Sequence, residues 1–390
     1  MKEASILTRH CRAAWHAGFT LIELLVALVI GLALTLVITR MLASQESLRR
    51  GVTSGVDLAS NSAYAAYTLE RELRVAGAGF SQSVPANYGC LLNVSKNNAQ
   101  MLPATAAFPA PFAAISTNYR LAPLVVYAGA GQGGSDVIAM ATGGSALSGM
   151  GLPVVPKSTA AGQLKLANTL GIQAGDLVLV SQQGAGCMVE QVSNGFVAST
   201  AAAPQPVLTF GGAYAADTIN GLSLTDLSTA NAFVSVLGNV AGNRPRIQLL
   251  GLGSNATLFS YDLLQLTSNP LQALMDGVVD LRVRYGLAPT KGSKVTTWTT
   301  PSAAGYTAAA LTDGSGTAQA NLQSIVAVRV GLILRSDLIE KDDVSATTLT
   351  LFGDLGDSLK YTYALPADGT RQRYRAVEFT VPLRNVRFSN

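Results

Sequence analysis

The sequence predicts an α+β protein in which one long N-terminal α-helix packs on a large, antiparallel, β-rich head. Two observations carry this expectation. No proline occurs before Pro85, and residues 19–75 read as one helix that at about 1.5 Å per residue reaches roughly 85 Å. Beyond Gly79 the apolar period changes from helical to alternating, which marks strands.

The first element is a basic leader. Residues 1–18 carry Lys2, Arg9 and Arg12 against Glu3, a flank that keeps the N-terminus in the cytoplasm and directs the rest outward. The second is an apolar run. From Leu24 to Thr39 there is no charge, so residues 19–39 are long enough to cross a bilayer, which takes about 20 helical residues. Glu23 is the anomaly, because an acid at the centre of a membrane helix costs about 3 kcal/mol and is read as functional, with a partner to be named. The natural partner is an amine. Were the chain cut after Gly18, the Phe19 ammonium would meet the Glu23 carboxylate of a neighbouring subunit and set the register between the two. The plainer alternative is an ordinary signal anchor with Glu23 near the interface. A secretory signal, by contrast, is cut after its apolar segment and loses it.

Gly18 to Leu28, GFTLIELLVAL, resembles the class III signal of type IV pilins and type II secretion pseudopilins. The resemblance implies that a prepilin peptidase cuts between Gly18 and Phe19 and methylates the new amine, and that Glu23 guides assembly. It gives a pilin-like reading of the fold: a cleaved leader at 1–18, a long helix at 19–76 with 19–39 in the membrane, and a periplasmic head at 77–390. The helix would serve first as an inner-membrane anchor and later as packing surface inside an extracellular filament.

In the helix's second half Leu58, Ala65, Leu69 and Leu73 share one face, while Glu70 and Arg74 form an i,i+4 pair on another. Gly51 and Gly55 weaken the middle, and Gly77 and Gly79 supply the stop. In the head the clearest strand is Val279–Tyr285, with apolar odd positions facing a core and charged even positions facing away. Residues 359–365 repeat the alternation, and Val377, Phe379 and Val381 give a C-terminal strand. Further strands are expected at 177–181, 188–192, 256–264 and 325–334. Asn269 and Pro270 read as N-cap and N1 of a short helix ending at Gly277. Long loops at 102–118 and 288–320 are candidate partner-binding segments. The head exceeds a domain of about 100 to 200 residues, which leaves room for two lobes, yet no linker composition fixes a boundary.

Five pieces of the mature chain, in order, resemble PilW-type minor pilins: LERELRVAGAGF (Leu69 to Phe80), Gly89-Cys90, DGVVDLRVRYG (Asp276 to Gly286), VAVRVGLILRS (Val326 to Ser336) and YRAVEFTVPLRN (Tyr374 to Asn385). That resemblance implies a low-abundance pilus component that joins other minor pilins in a priming complex at the tip. The implied partners are those minor pilins, the major pilin, the prepilin peptidase, the inner-membrane assembly platform and a tip adhesin.

Cys11 lies in the leader, which leaves Cys90 and Cys187. In an oxidising compartment an even pair reads as a disulfide, and closing a loop of about 100 residues stabilises a fold by roughly 4 to 5 kcal/mol in the chain-entropy picture. The alternative is two buried free thiols.

The chemistry of catalysis is not expected. Both histidines, His10 and His16, lie in the leader, so the mature chain lacks the Ser-His-Asp and Cys-His arrangements and His-based zinc ligation, and no CxxC occurs. Gly129 to Gly134 satisfies GxGxxG, but Ser135 to Met140 reads as a strand, where a dinucleotide site needs a helix N-terminus. A glycine-rich hairpin is the better reading. Asp342-Asp343 and Asp354 to Asp357 lack EF-hand spacing and read as solvated turns. Trp298 either anchors a partner or folds back on the sheet. The net charge of +4 falls to +2 without the leader, which offers no nucleic-acid footprint. The expected function is therefore structural, without catalytic residues, cofactor or metal. The alternatives are a J-type minor pseudopilin of type II secretion and a tip adhesin binding a surface ligand.

Overall fold

The computed structural model describes residues 18–81, 83–144, 151–157, 160–199, 206–289 and 294–387. The leader lies outside them except for Gly18, and so do His10, Cys11, Trp15 and His16. Helix α1 spans Leu21–Arg74 and continues through Gly51 and Gly55. Good helix formers on both sides carry it across, since propagation is easy once a helix is nucleated. The boundary between the chain's two compact units falls between these glycines, at Ser54 and Gly55, so the last turns of α1 belong with the head.

Within that second unit Leu58, Ala65, Leu69 and Leu73 are buried in the main core, and each leucine contributes about 1.5 to 3 kcal/mol by leaving water. Glu70 and Arg74 pair on another side of the helix. Chain reversal after α1 depends on Gly77, whose φ is +82° and whose N–H donates to the Ala141 carbonyl at 2.8 Å. A Cβ there would lie 2.5 Å from Ser81 Oγ.

Among the described residues three sheets of four or more strands build most of the head, beside three two-stranded pairs. The first has six strands in the order Ala99–Leu102, Leu92–Lys96, Cys187–Gln191, Asp176–Gln182, Ala232–Asn239 and Leu152–Pro153. Its pairs are antiparallel except Leu92–Lys96 with Cys187–Gln191, which run parallel. A second sheet orders Leu271–Met275, Leu258–Asp262, Arg246–Leu252, Val137–Thr142 and Leu124–Tyr127. The third orders Thr297–Thr299, Val278–Leu287, Ile325–Ile339 and Gln372–Pro382, all antiparallel. A separate hairpin, Thr348–Leu351 with Tyr361–Ala364, builds a small core with Ile333 and Phe352. The α+β expectation of a long helix and an antiparallel, β-rich head matches this architecture.

Two expectations need correction. Residues 271–275 form a strand, not a helix after an Asn269 cap: they pair with Leu258–Asp262 and pack Leu271, Leu274 and Met275 on the main core. Cross-strand pairing outweighs a local cap signal worth about 1 kcal/mol. The charged positions of the strand Val278–Leu287 do not all face water either, since Asp280 and Arg284 are buried. The hairpin at 348–364 covers that face, with Phe352 under the Arg284 guanidinium at 4.6 Å and Tyr361 bonded to Asp280.

Gly129–Gly134 does connect two antiparallel strands, Leu124–Tyr127 and Val137–Thr142. Trp298 folds back on the sheet: it pairs with Gly286, where a Cβ would come within 2.9 Å of its ring.

Candidate assembly site

The N-terminal segment combines the residues singled out by sequence. Leu21 opens α1, and Thr20 caps it: Thr20 Oγ1 accepts the Glu23 N–H at 3.3 Å, and the Thr20 carbonyl accepts from Glu23 and Leu24 at 3.1 and 3.2 Å. Glu23 thus occupies the third helical position, where a carboxylate meets the positive end of the helix. Thr20-x-x-Glu23 is the capping-box spacing, a signal present in the sequence and not used in reading it. The cap lies on the C-terminal side of the Gly18–Phe19 bond, so a cut there leaves the helix start intact.

From Phe19 onward large apolar side chains stand exposed on every side of the helix, among them Leu21, Ile22, Leu24, Ile30 and Leu34. Its most apolar window has a mean hydropathy of 2.9 and none of it is buried, and it is the one helix among the described residues long and apolar enough to cross a bilayer. The only polar side chains between Leu24 and Thr39 satisfy themselves: Thr35 Oγ1 donates to the Gly31 and Leu32 carbonyls at 3.0 and 2.9 Å, and Thr39 Oγ1 to those of Thr35 and Leu36 at 2.9 and 3.1 Å. Glu23 is the contrast. No bond to its carboxylate occurs among the described residues, and it is the one acidic group in the apolar segment.

Cys90 and Cys187 lie in the head and are joined as a disulfide, with Cα atoms 5.7 Å apart. Cys187 opens its strand opposite Leu92, so the bridge holds the start of the parallel pair. It does not belong to the N-terminal site.

Sequence reading missed a buried charge cluster. Asp136 accepts N–H bonds from Gly129 and Val283 at 3.0 and 2.9 Å, binding the glycine-rich hairpin to the strand Val278–Leu287. Burial pushes its carboxyl above the usual range, and the bonds and nearby arginines oppose that. Arg282 lies 3.0 Å from Asp280, donates to the Gly134 carbonyl at 2.7 Å and stacks 4.1 Å over Tyr361. Arg284 donates to the Leu359 and Val283 carbonyls at 2.9 Å. Each of these groups is engaged in joining backbone segments, which gives the cluster a structural role. Glu190 is a second buried acid, and only its Oε2 is bonded, by the Ala216 N–H at 3.0 Å. No group of three or more His, Cys, Asp or Glu suited to a metal occurs among the described residues. Asp343 accepts from Thr370, and Asp354 pairs with Arg329.

Comparison with known proteins gives two family matches. Residues 250–385 match the family described as Type IV Pilus-assembly protein W, and residues 16–39 match the prokaryotic N-terminal methylation motif. The first covers the strands Leu258–Asp262 and Leu271–Met275 of the second sheet and the whole third sheet, and the second covers the Gly18–Phe19 bond, the Thr20 cap, Glu23 and the apolar run. No curated protein and no solved structure matches the chain.

Proposed function

We propose that this chain, a type IV pilus-associated pilin that matches a PilW-type minor pilin, takes part in priming pilus assembly and sits at or near the pilus tip. One observation carries the reading: an internally satisfied apolar helix that follows an exposed Phe19 and holds a single carboxylate, Glu23, with no bond among the described residues. Prepilin peptidase cuts after Gly18 and methylates Phe19. The helix then anchors the protein in the inner membrane, with the head in the periplasm, until it leaves the bilayer for the filament. There the Phe19 ammonium of one subunit meets the Glu23 carboxylate of another, which removes the cost of an uncompensated charge in an apolar bundle.

Other minor pilins, the major pilin and the assembly platform are the partners in this account. The match to a pilus-assembly family favours it over the pseudopilin alternative. The test replaces Glu23 with Ala and, separately, with Gln. Both variants should reach the inner membrane with a folded head, fail to enter sheared pili and lower the number of pili per cell. Normal pilus numbers with either variant present in the pilus would contradict the proposal.

A further inference from the structure

We infer that the outer edge of the strand Gln372–Pro382 receives a strand donated by another polypeptide. Among the described residues this strand is last in its sheet and pairs on one side only, with Ile325–Ile339. The Leu383 N–H donates to the Val326 carbonyl at 2.9 Å, which fixes the phase of the ladder. Val377, Phe379 and Val381 therefore turn their backbone groups to the neighbouring strand, while Ala376, Glu378 and Thr380 turn theirs outward.

Near the strand's start the outward groups are taken. The Tyr374 N–H donates to Ser345 Oγ at 3.1 Å, and Ser345 Oγ donates to the Gln372 carbonyl at 2.7 Å. From Ala376 to Thr380 the outward N–H and C=O groups have no partner among the described residues, and Ala376 and Thr380 are exposed. Free edges usually carry a lysine, a proline, a bulge or a charge pointing inward, because they template pairing with other chains. Here the register runs unbroken from Tyr374 to Pro382, and no lysine or proline stands between Ala376 and Val381. The one charge in that run, Glu378, is held by Arg329 at 2.7 Å and by the Phe352 N–H at 2.8 Å.

The edge also specifies its occupant. Val377 and Phe379 pack on the main core yet stay half-buried beside the open edge. A strand with apolar residues at alternate positions would bond the outward backbone groups and complete the cover over both side chains. A second copy of this chain fits less well, since antiparallel self-pairing centred on the open run sets Glu378 opposite Glu378. That the donor is a pilus subunit rests on the function proposed above; the pairing itself does not.

A photo-crosslinking residue placed at Ala376 or at Thr380 of the full-length protein, in the cells that produce it, tests this. Adducts from the two positions should map to one extended segment of another protein, about four residues apart, as paired strands require. Combining the probe at Ala376 with Thr380→Pro, which removes one outward donor, should cut the adduct yield about tenfold, the scale of one lost backbone hydrogen bond. Melting of the variant is measured alongside, and if it falls, Thr380→Lys is scored the same way with the backbone donor retained and a charge on the edge. Absent or scattered adducts, adducts to a second copy of this chain, or a yield that neither variant lowers would overturn the inference. A donor segment from outside the pilus would uphold the pairing and overturn the pilus reading instead.

Discussion

Tyr361 donates its hydroxyl hydrogen to Asp280 at 2.7 Å and at the same time accepts from Arg282 at 2.7 Å. This joins a hairpin late in the chain to the strand Val278–Leu287 and closes a layer over charges that an isolated strand would leave in water.

Tyr361→Phe should therefore cost about 1 to 2 kcal/mol, because it removes one hydroxyl and leaves Asp280 with Arg282. Asp136→Ala should cost more, about 2 to 4 kcal/mol, because it leaves the Gly129 and Val283 N–H groups without their acceptor. Urea unfolding of the detergent-solubilised chain measures both. A larger loss for Tyr361→Phe than for Asp136→Ala would contradict this ranking.

Cys90→Ser with Cys187→Ser opens a loop whose ends lie 97 residues apart in sequence. Stability should fall by roughly 4 to 5 kcal/mol, and the unfolding midpoint of the wild type should drop similarly under reducing conditions. Equal midpoints with and without reductant would show that the bridge contributes nothing.

Glu190 gives stability a pH dependence. Its burial, with Asp217 adding to the effect and the Ala216 N–H opposing it, pushes its carboxyl up to about 8 from an ordinary value of 4.5. The folded chain holds this proton through a window in which the unfolded chain releases it. The stabilisation is complete below 4.5 and is lost as pH rises to about 8. Glu190→Gln has no such proton, so its stability relative to wild type should rise across that window by about 5 kcal/mol. Parallel pH profiles for the two proteins would contradict the placement of this acid.

Thr20→Val removes the cap at the start of α1. The cost should be about 1 kcal/mol, confined to the first turn. Amide exchange in detergent micelles should speed up at Glu23 and Leu24 and leave the head unchanged. Glu23→Gln loses the carboxylate at the positive end of the helix but keeps the Thr20 cap, and should speed exchange there less than Thr20→Val does.

Much of the fold could be read from local spacing. The buried face of α1 follows from Leu58, Ala65, Leu69 and Leu73, and the third sheet's strands follow from alternation at 279–285, 325–334 and 377–381. What local spacing does not carry is which faces are covered. Asp280 and Arg284 look solvent-facing until Phe352 and Tyr361 arrive from a distant hairpin, and Glu190 lies in a short strand whose covering segment sits at Ala216. Residues 271–275 misled because a cap and a proline are local signals, whereas their pairing with 258–262 is tertiary. At the N-terminus the anomaly of Glu23 was plain in the sequence, and the Thr20 cap was equally present but overshadowed by the carboxylate.

Mass spectrometry of the N-terminus of the membrane-bound chain, from cells with an active prepilin peptidase, tests the central claim most directly. A mature chain beginning at N-methylated Phe19 is the expected result. Recovery of chains that retain residues 1–18, or that begin beyond the apolar run, would contradict it.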